Sequence, residues 1–142
     1  ELKNVIDVFT YETGKRNPKI EKIQTIPTTG PNRLSQLTAA CSMRFSSDER
    51  YLFCGSAGDN CVSVYKRDVE TGLLEMICCL PISGDYPKDL AIFPDDQHIA
   101  CINHESGSIT FFHVDYEKGL LVMSGRSIRV SEPNSCVIVK VN

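Results

Sequence analysis

Residues that could act as bases or anion ligands are concentrated in two short segments of the sequence. Asn103, His104 and Glu105 follow one another, and Lys88 stands directly before Asp89. An imidazole or a carboxylate can take a proton from water, and an ammonium group can hold an oxyanion or a phosphate. These residue types suit hydrolysis of a polar substrate if the fold brings the two segments together. The alternative is that they are simply solvated loop residues.

The elements that must position these segments are short β-strands. Apolar runs at residues 90–93, 98–102, 108–114 and 120–123 are separated by turn signals rich in Asp, Asn and Gly. Runs of this length with this punctuation predict an antiparallel meander of four strands. No segment has a helical period, so the predicted fold class is all-β.

The same unit occurs more than once along the chain. Residues 62–65 match 109–112 at a spacing of 47, and Phe45 is matched to Phe93 with one residue of slack. Four-stranded repeats of this length predict the blades of a β-propeller. The predicted parts of this one domain are a partial blade at 1–27, blades at 39–80 and 87–130, and a closing inner strand at 133–140.

About three blades are fewer than the roughly 4–8 that close a propeller. We therefore expect this chain to form part of a larger ring. A terminal repeat without a polar cap leaves an apolar face in water. The expected partners are the remaining blades of the same ring or another copy of the chain.

Antiparallel alternation sorts the loops onto two faces of the ring. The loops between the second and third strands share one face with the crossings between blades, whereas the other face carries regular turns. The first of these faces is the predicted site face. It collects Glu1, Arg33, Lys88, Asp89, Asn103, His104, Glu105 and Asn134. Arg44 is expected to be an inter-blade packing or salt-bridge residue.

Composition excludes several classes of protein. With 42% hydrophobic and 23% charged residues the chain is typical of globular proteins, and a net charge of −3 gives nucleic acid no electrostatic attraction. No apolar run is long enough to span a membrane. The seven cysteines include no Cys-x-x-Cys pair, so we expect small buried thiols in a reducing cytoplasm, without metal or cofactor. A catalytic thiol or a metal site is the alternative.

The segment PKDLAIFPDDQHIACINHESGSITFFHVD, which follows VSVYKRDVETGLLE, resembles the 6-phosphogluconolactonase-type lactonase family of seven-bladed propellers. The resemblance covers the whole chain and implies the C-terminal portion of such a ring. Lys88 stands where the family's Pro-Arg-Asp-Phe motif has arginine, which keeps the charge but loses the bidentate fork. Glu1 resembles the glutamate of the family's Asn-Glu-Leu loop, and Asn103 aligns with its loop asparagine. His104 occupies the repeat position of Glu1.

The resemblance implies hydrolysis of a sugar lactone similar to 6-phosphogluconolactone, at the mouth of the central channel. The residues expected to be catalytic are Glu1, His104 and Lys88, and those expected to bind substrate are Arg33, Asn103 and Glu105. The family's site histidine and a further arginine come from blades before Glu1. The isolated fragment is therefore expected to be inactive.

Two other functions stay open at this stage. A lactone-forming cycloisomerase of the muconate type resembles the same family. A non-catalytic interaction propeller is the other, although the sequence lacks the Trp-Asp and Gly-His pairs that would favour it. The residues expected to be buried between blades are Phe45, Tyr51, Leu52, Val64, Leu90, Ile92, Ile99, Phe111 and Leu121.

Overall fold

The computed structural model describes residues 3–31, 38–139 and 141, and its regular elements are β-strands. No helix occurs in these ranges, which confirms the all-β fold class. The described residues accordingly include no helix suited to crossing a membrane. The strands are β1 (Val5–Tyr11), β2 (Ile20–Pro27), β3 (Ala39–Phe45), β4 (Tyr51–Ala57), β5 (Cys61–Arg67), β6 (Leu74–Pro81), β7 (Pro87–Ile92), β8 (His98–Asn103), β9 (Ser108–Asp115), β10 (Leu120–Met123) and β11 (Ile128–Arg129).

The strands form three antiparallel sheets in chain order. The first sheet pairs β1 with β2, and the middle sheet has the order β3-β4-β5-β6. The last sheet has the order β7-β8-β9-β10, and β11 also pairs with β9. The outer position of this sheet is therefore occupied by two short strands, β10 and β11, which both pair with β9. Sequential strands joined by short turns give each sheet the meander of a propeller blade.

The hydrogen-bond register corrects one detail of the predicted repeat. The amide of Ser46 donates to the carbonyl of Tyr51, and the amide of Phe93 donates in the same way to His98. Ser46 is therefore the counterpart of Phe93, and the spacing is 47 with no slack. The match of Phe45 to Phe93 is wrong by one position. The cause is that a phenylalanine stands next to the true position in one repeat only.

The main hydrophobic core lies between the middle and last sheets. It is built from side chains that alternate along the facing strands, as expected for sheets packed face to face. Tyr51 and Tyr116 extend the contact between these sheets by stacking their rings at a centroid distance of 3.9 Å. The buried members of the core are Phe53, Val62, Val64, Ile82, Leu90, Ile99, Cys101, Phe112 and Val114.

A smaller cluster joins the first and middle sheets, with Ile6, Leu52, Cys54, Tyr65 and Leu74 buried. Beside it an open cleft of about 690 Å³ runs between β1 and β3. Phe45 lines this cleft and is 50% exposed. The prediction that Phe45 is buried is therefore wrong, because no strand among the described residues covers that part of β3. Of the other expected core residues, Leu52, Val64, Leu90 and Ile99 are buried, and Tyr51, Ile92, Phe111 and Leu121 are half-buried.

Residues 133–139 form no strand with any other described residue. They are held to the last sheet by single hydrogen bonds. The amide of Cys136 donates to Asp89 Oδ2 at 3.1 Å, and the carbonyl of Pro133 lies 3.2 Å from His104 Nδ1. The closing strand expected at 133–140 therefore stays a prediction.

Candidate active site

Lys88 is placed by an irregularity in the inner strand of the last sheet. Pro87 pairs with Asn103 and Asp89 pairs with Ile102, so that Lys88 is the extra residue of a β-bulge. The inner strand of the middle sheet is irregular at the equivalent place, between Ala40 and Met43. Bulges re-aim side chains and occur often beside active sites. The repeat therefore turns one side chain out of the ladder at the same end of each inner strand.

The carboxylate next to Lys88 is already occupied by another cation. Arg44 Nη2 lies 2.9 Å from Asp89 Oδ1, and the Asp89 side chain is only 6% exposed. The amides of Leu90 and Cys136 also donate to this carboxylate. This confirms Arg44 as a residue of an inter-blade salt bridge. Lys88 is exposed and has no ion-pair partner among residues 3–31, 38–139 and 141, so its charge is available to an anion.

A cleft of about 420 Å³ opens beside Lys88. It is bounded by the starts of β1, β3 and β7, which meet on the face predicted to carry the site. Thr28 lies in its wall, and within the described part of the chain its buried hydroxyl has no hydrogen-bond partner. The residues around the cleft are Val5, Ile6, Thr28, Ala40, Cys41, Met43, Cys54, Tyr86 and Lys88.

Tyr86, on the crossing into β7, is held in an unusual backbone conformation. Its φ is +58°, a left-handed value that a bulky side chain rarely adopts. Asn60 fixes this conformation, because its Oδ1 accepts from the Tyr86 amide at 2.9 Å and its Nδ2 donates to Asp85. Strained residues of this kind cluster at functional sites. The turn before β5 therefore determines how Tyr86 meets the cleft.

His104 lies next to Tyr86 at the end of the same hairpin as Lys88. Its amide donates to the Tyr86 carbonyl, and the two rings are 6.1 Å apart between centroids. Its Nδ1 lies 3.2 Å from the Pro133 carbonyl, which can only accept, so Nδ1 carries a proton. In the neutral imidazole Nε2 is then the acceptor. The hydrogen bond thus leaves His104 in the tautomer that can take a proton through Nε2.

Of the remaining predicted site residues, one is buried, one is exposed and two lie outside the described residues. Asn103 is fully buried, and its Nδ2 donates to Thr110 Oγ1 at 3.1 Å and to Ser108 Oγ at 3.3 Å. Glu105 is exposed in the turn after β8. Glu1 and Arg33 lie outside the described residues. The structure therefore brings the backbones of Lys88 and His104 to one end of the hairpin, with Asn103 buried next to His104, and of these three residues Lys88 alone lines the cleft.

Three residues around the cleft, Tyr86, Thr28 and Cys41, were not predicted from the sequence. A tyrosine before Pro-Lys-Asp has no chemical signature, and its importance appears only in the φ angle and the contacts. Cys41 could have been found from the repeat, because it stands 47 residues before the lysine of the second bulge. The match of Phe45 to Phe93 hides this equivalence, because it shifts the inner strands by one residue.

Four thiols have a raised pKa and are therefore poorly suited to nucleophilic attack. Burial raises the pKa of Cys54 to about 12 and that of Cys78 to about 11, and it raises the pKa of Cys101 further. Burial likewise raises the pKa of Cys136 to about 11, with a contribution from the Asp89 carboxylate. The thiolate is the reactive form, so these four side chains stay protonated near neutral pH. Among the described residues no group of three or more His, Cys, Asp or Glu is arranged to hold a metal.

Comparison with known proteins gives one matching family, described as "Lactonase, 7-bladed beta-propeller", whose model covers residues 1–139. An uncharacterised protein of Staphylococcus aureus strain USA300 is 26% identical over 139 residues, which are 97% of this chain and 39% of that protein. The chain thus spans about two fifths of the length of such relatives.

Two solved structures share the fold. The periplasmic gluconolactonase PpgL of Pseudomonas aeruginosa matches with a TM-score of 0.83 at 23% identity, over 94% of this chain and 36% of that protein. A putative 6-phosphogluconolactonase of Bacteroides fragilis matches with a TM-score of 0.80 at 23% identity, over 95% of this chain and 36% of that protein.

Proposed function

Because the chain belongs to the seven-bladed β-propeller lactonase family, we propose that it forms part of a lactonase that hydrolyses a sugar lactone similar to 6-phosphogluconolactone. The reaction takes place in the cleft beside Lys88. The observation that carries this proposal is the bulge at Lys88, which presents an exposed cation at the cleft while Arg44 neutralises the adjacent Asp89. The gluconolactonase and the putative 6-phosphogluconolactonase of the same fold support the substrate class.

Hydrolysis of a lactone requires a base for water and a positive group for the oxyanion. Water adds to the lactone carbonyl and gives a proton to the base, and the ring C–O bond then breaks and the departing oxygen is protonated. His104 suits the role of base, because its Nε2 is the acceptor in the neutral ring. Lys88 stabilises the oxyanion or holds a phosphate on the substrate.

The other candidates take supporting roles. Glu1 is the alternative base, and Arg33 and Glu105 are proposed to contact the polar groups of the substrate, as the family resemblance suggests. Asn103 is proposed to position the hairpin and not to bind substrate, because its side chain is fully buried and ties β8 to β9. The hairpin end that carries His104 and Lys88 depends on this anchor.

The test is a panel of phosphorylated and unphosphorylated sugar δ-lactones, assayed with the full-length protein and its Lys88 variants. Lys88→Ala is expected to lower kcat/KM by about 10²–10³, the usual effect of losing one oxyanion contact. Lys88→Arg keeps the charge and is expected to retain most of the activity. His104→Gln should abolish the base-dependent limb of the pH profile if His104 is the base.

A matched control is an exposed lysine that does not line this cleft. Lys66→Ala, near the end of β5, removes the same charge as Lys88→Ala, so activity is expected to stay within a few-fold of the wild type. Equal activity of the wild type and Lys88→Ala would remove Lys88 from the site. Turnover of muconates would instead identify a cycloisomerase, and a complete lack of turnover would favour an interaction propeller.

The expected context of the chain follows from the same proposal. The remaining blades of the same ring, or a second copy of the chain, are its proposed partners. Light scattering of the 142-residue chain alone is expected to show association. The proposed location is the cytoplasm, where the buried thiols would stay reduced.

A further inference from the structure

Two cysteines of the middle sheet face each other across neighbouring strands. Cys61 on β5 pairs with Pro81 on β6, and Ser63 pairs with Cys79. Cys61 and Cys79 are therefore diagonal neighbours on one face of the sheet. Their sulfur atoms are 3.4 Å apart, so the two thiols are already in contact.

The two thiols differ in their access to solvent. Cys61 is fully buried, whereas Cys79 is partly exposed beside Gly30. A solute can therefore reach Cys79 first and leaves Cys61 as a protected second thiol. This arrangement of an accessible thiol beside a resolving thiol is typical of cysteines that undergo disulfide exchange.

We propose that Cys61 and Cys79 form a dithiol that a low-molecular-weight disulfide of the glutathione class oxidises to a cross-strand disulfide. The Cys79 thiolate attacks the small disulfide, which gives a mixed disulfide on Cys79 and releases one thiolate. Cys61 loses its proton to that thiolate and attacks the Cys79 sulfur. This releases the second small thiolate, which takes from water the proton that Cys79 had given up. The protein loses two hydrogen atoms, and the small disulfide is reduced to two thiols.

The geometry favours this pair over the other thiols nearby. A disulfide bond is about 2.05 Å long, so the two sulfur atoms must approach by about 1.4 Å from their present contact. Diagonal neighbours are commonly spaced beyond the Cα range of a disulfide, so bond formation requires a shift of β6, the edge strand of this sheet. Cys54, on β4, turns its sulfur toward the Gly55 carbonyl at 3.7 Å. Cys78 follows the opposite face of β6, where its Cβ lies near Gly119. Cys54 lies on the same face of the sheet as Cys61, because it pairs with Ser63, so the sulfur–sulfur contact of 3.4 Å is what favours the pair of Cys61 and Cys79.

The experiment treats the folded full-length protein with oxidised glutathione, followed by alkylation, tryptic digestion and mass spectrometry. Cleavage after Lys66 and Lys88 places Cys61 and Cys79 in different peptides. The expected product is a cross-link between these peptides, with a mass loss of about 2 Da relative to the two reduced peptides. The cross-link should disappear on treatment with dithiothreitol.

The variants show which thiols carry the link. Cys61→Ser is expected to abolish the cross-link and to leave glutathione on Cys79, whereas Cys79→Ser should abolish both. Cys78→Ser is the matched control and should keep the cross-link; Cys61→Ala replaces Cys61→Ser if the serine disturbs folding. A cross-link that survives in either Cys61 variant, one through Cys54, or a wild type that stops at the mixed disulfide would overturn the proposal.

Discussion

Met43 and Leu90 occupy the same position in the inner strands of two successive repeats, yet Met43 is 50% exposed and Leu90 is 1% exposed. The two residues are 47 positions apart, and each pairs with a cysteine of the next strand, Met43 with Cys54 and Leu90 with Cys101. Leu90 packs against the middle sheet, whereas Met43 borders the open cleft beside β1. The repeat thus determines which way an apolar side chain points, and the neighbouring blade determines whether that side chain is buried.

The largest expected effect separates these two residues. In the 142-residue chain Leu90→Ala should lower the free energy of unfolding by about 2–5 kcal/mol, because it leaves a cavity between sheets. Met43→Ala should cost less than about 1 kcal/mol, since much of its side chain is already in water. Urea unfolding of both variants measures the difference.

The same pair also tests whether a further strand packs against β3. In the full-length protein Met43→Ala should cost about as much as Leu90→Ala, about 2–5 kcal/mol, if a strand of the preceding blade covers β3. A cost for Met43→Ala that stays small in the full-length protein would mean that this cleft remains open. Such a result would argue against a closed ring around this chain.

A second expected effect concerns the anchor beneath the site. A Cβ added at Gly84 would lie 2.3 Å from Asn103 Cγ, so that Gly84→Ala forces the buried amide to move. We expect Gly84→Ala to cost about 1–3 kcal/mol, as overpacking usually does. The double variant with Asn103→Ala should recover part of that loss, which a double-mutant cycle measures. Strictly additive costs would show that the two residues do not meet.

The two blades differ at the position of Asn103, because the middle sheet has Ser56 there. Both side chains are fully buried, and each carries an oxygen without a hydrogen-bond partner among the described residues. The asparagine fills the space under the crossing into β7, which a serine is too short to do. Gly55→Ala, where the new Cβ would lie 3.3 Å from the Pro87 carbonyl, is a milder control.

Much of the fold could be predicted because strand period and turn residues are local properties. The run from Ser108 to Asp115 alternates along the sequence and forms β9, and the turns at Asp68 and Asp115 recur 47 residues apart. Phe45 could not be predicted in the same way. Its exposure depends on what covers β3, and its own sequence contains no information about that neighbour.

The candidate site was predictable only in part. Lys88 and His104 could be placed on one face by strand alternation, and pairing across a hairpin then brings their backbones together. The structural role of Asn103 could not be predicted, because it depends on the close approach of Gly84. The left-handed backbone of Tyr86 depends in turn on Asn60, which is distant in sequence.

The smallest expected effect compares the outer turns of the two blades. Asp68 accepts hydrogen bonds from the amides of Glu70 and Thr71 and from Thr71 Oγ1, whereas Asp115 accepts from the Lys118 amide and pairs with its ammonium group at 3.2 Å. In each turn a backbone hydrogen bond is the main reason that the pKa of the aspartate lies below its ordinary value of 3.8. In both turns the aspartate accepts from backbone amides, and the turns differ in the number of hydrogen bonds that the aspartate accepts.

A lowered pKa means that the folded state favours the ionised aspartate, so the stabilisation is present above pH 3.8 and is lost as pH falls through the folded-state pKa. Asp68→Ala should lower Tm at pH 7 by less than Gly84→Ala does, and this loss should shrink below pH 3.8. Asp115→Ala should have a still smaller effect, and added salt should reduce it because an exposed ion pair is screened. Calorimetry across pH and salt checks both, and a loss at Asp68 that is independent of pH would assign its role to backbone conformation, with no contribution from charge.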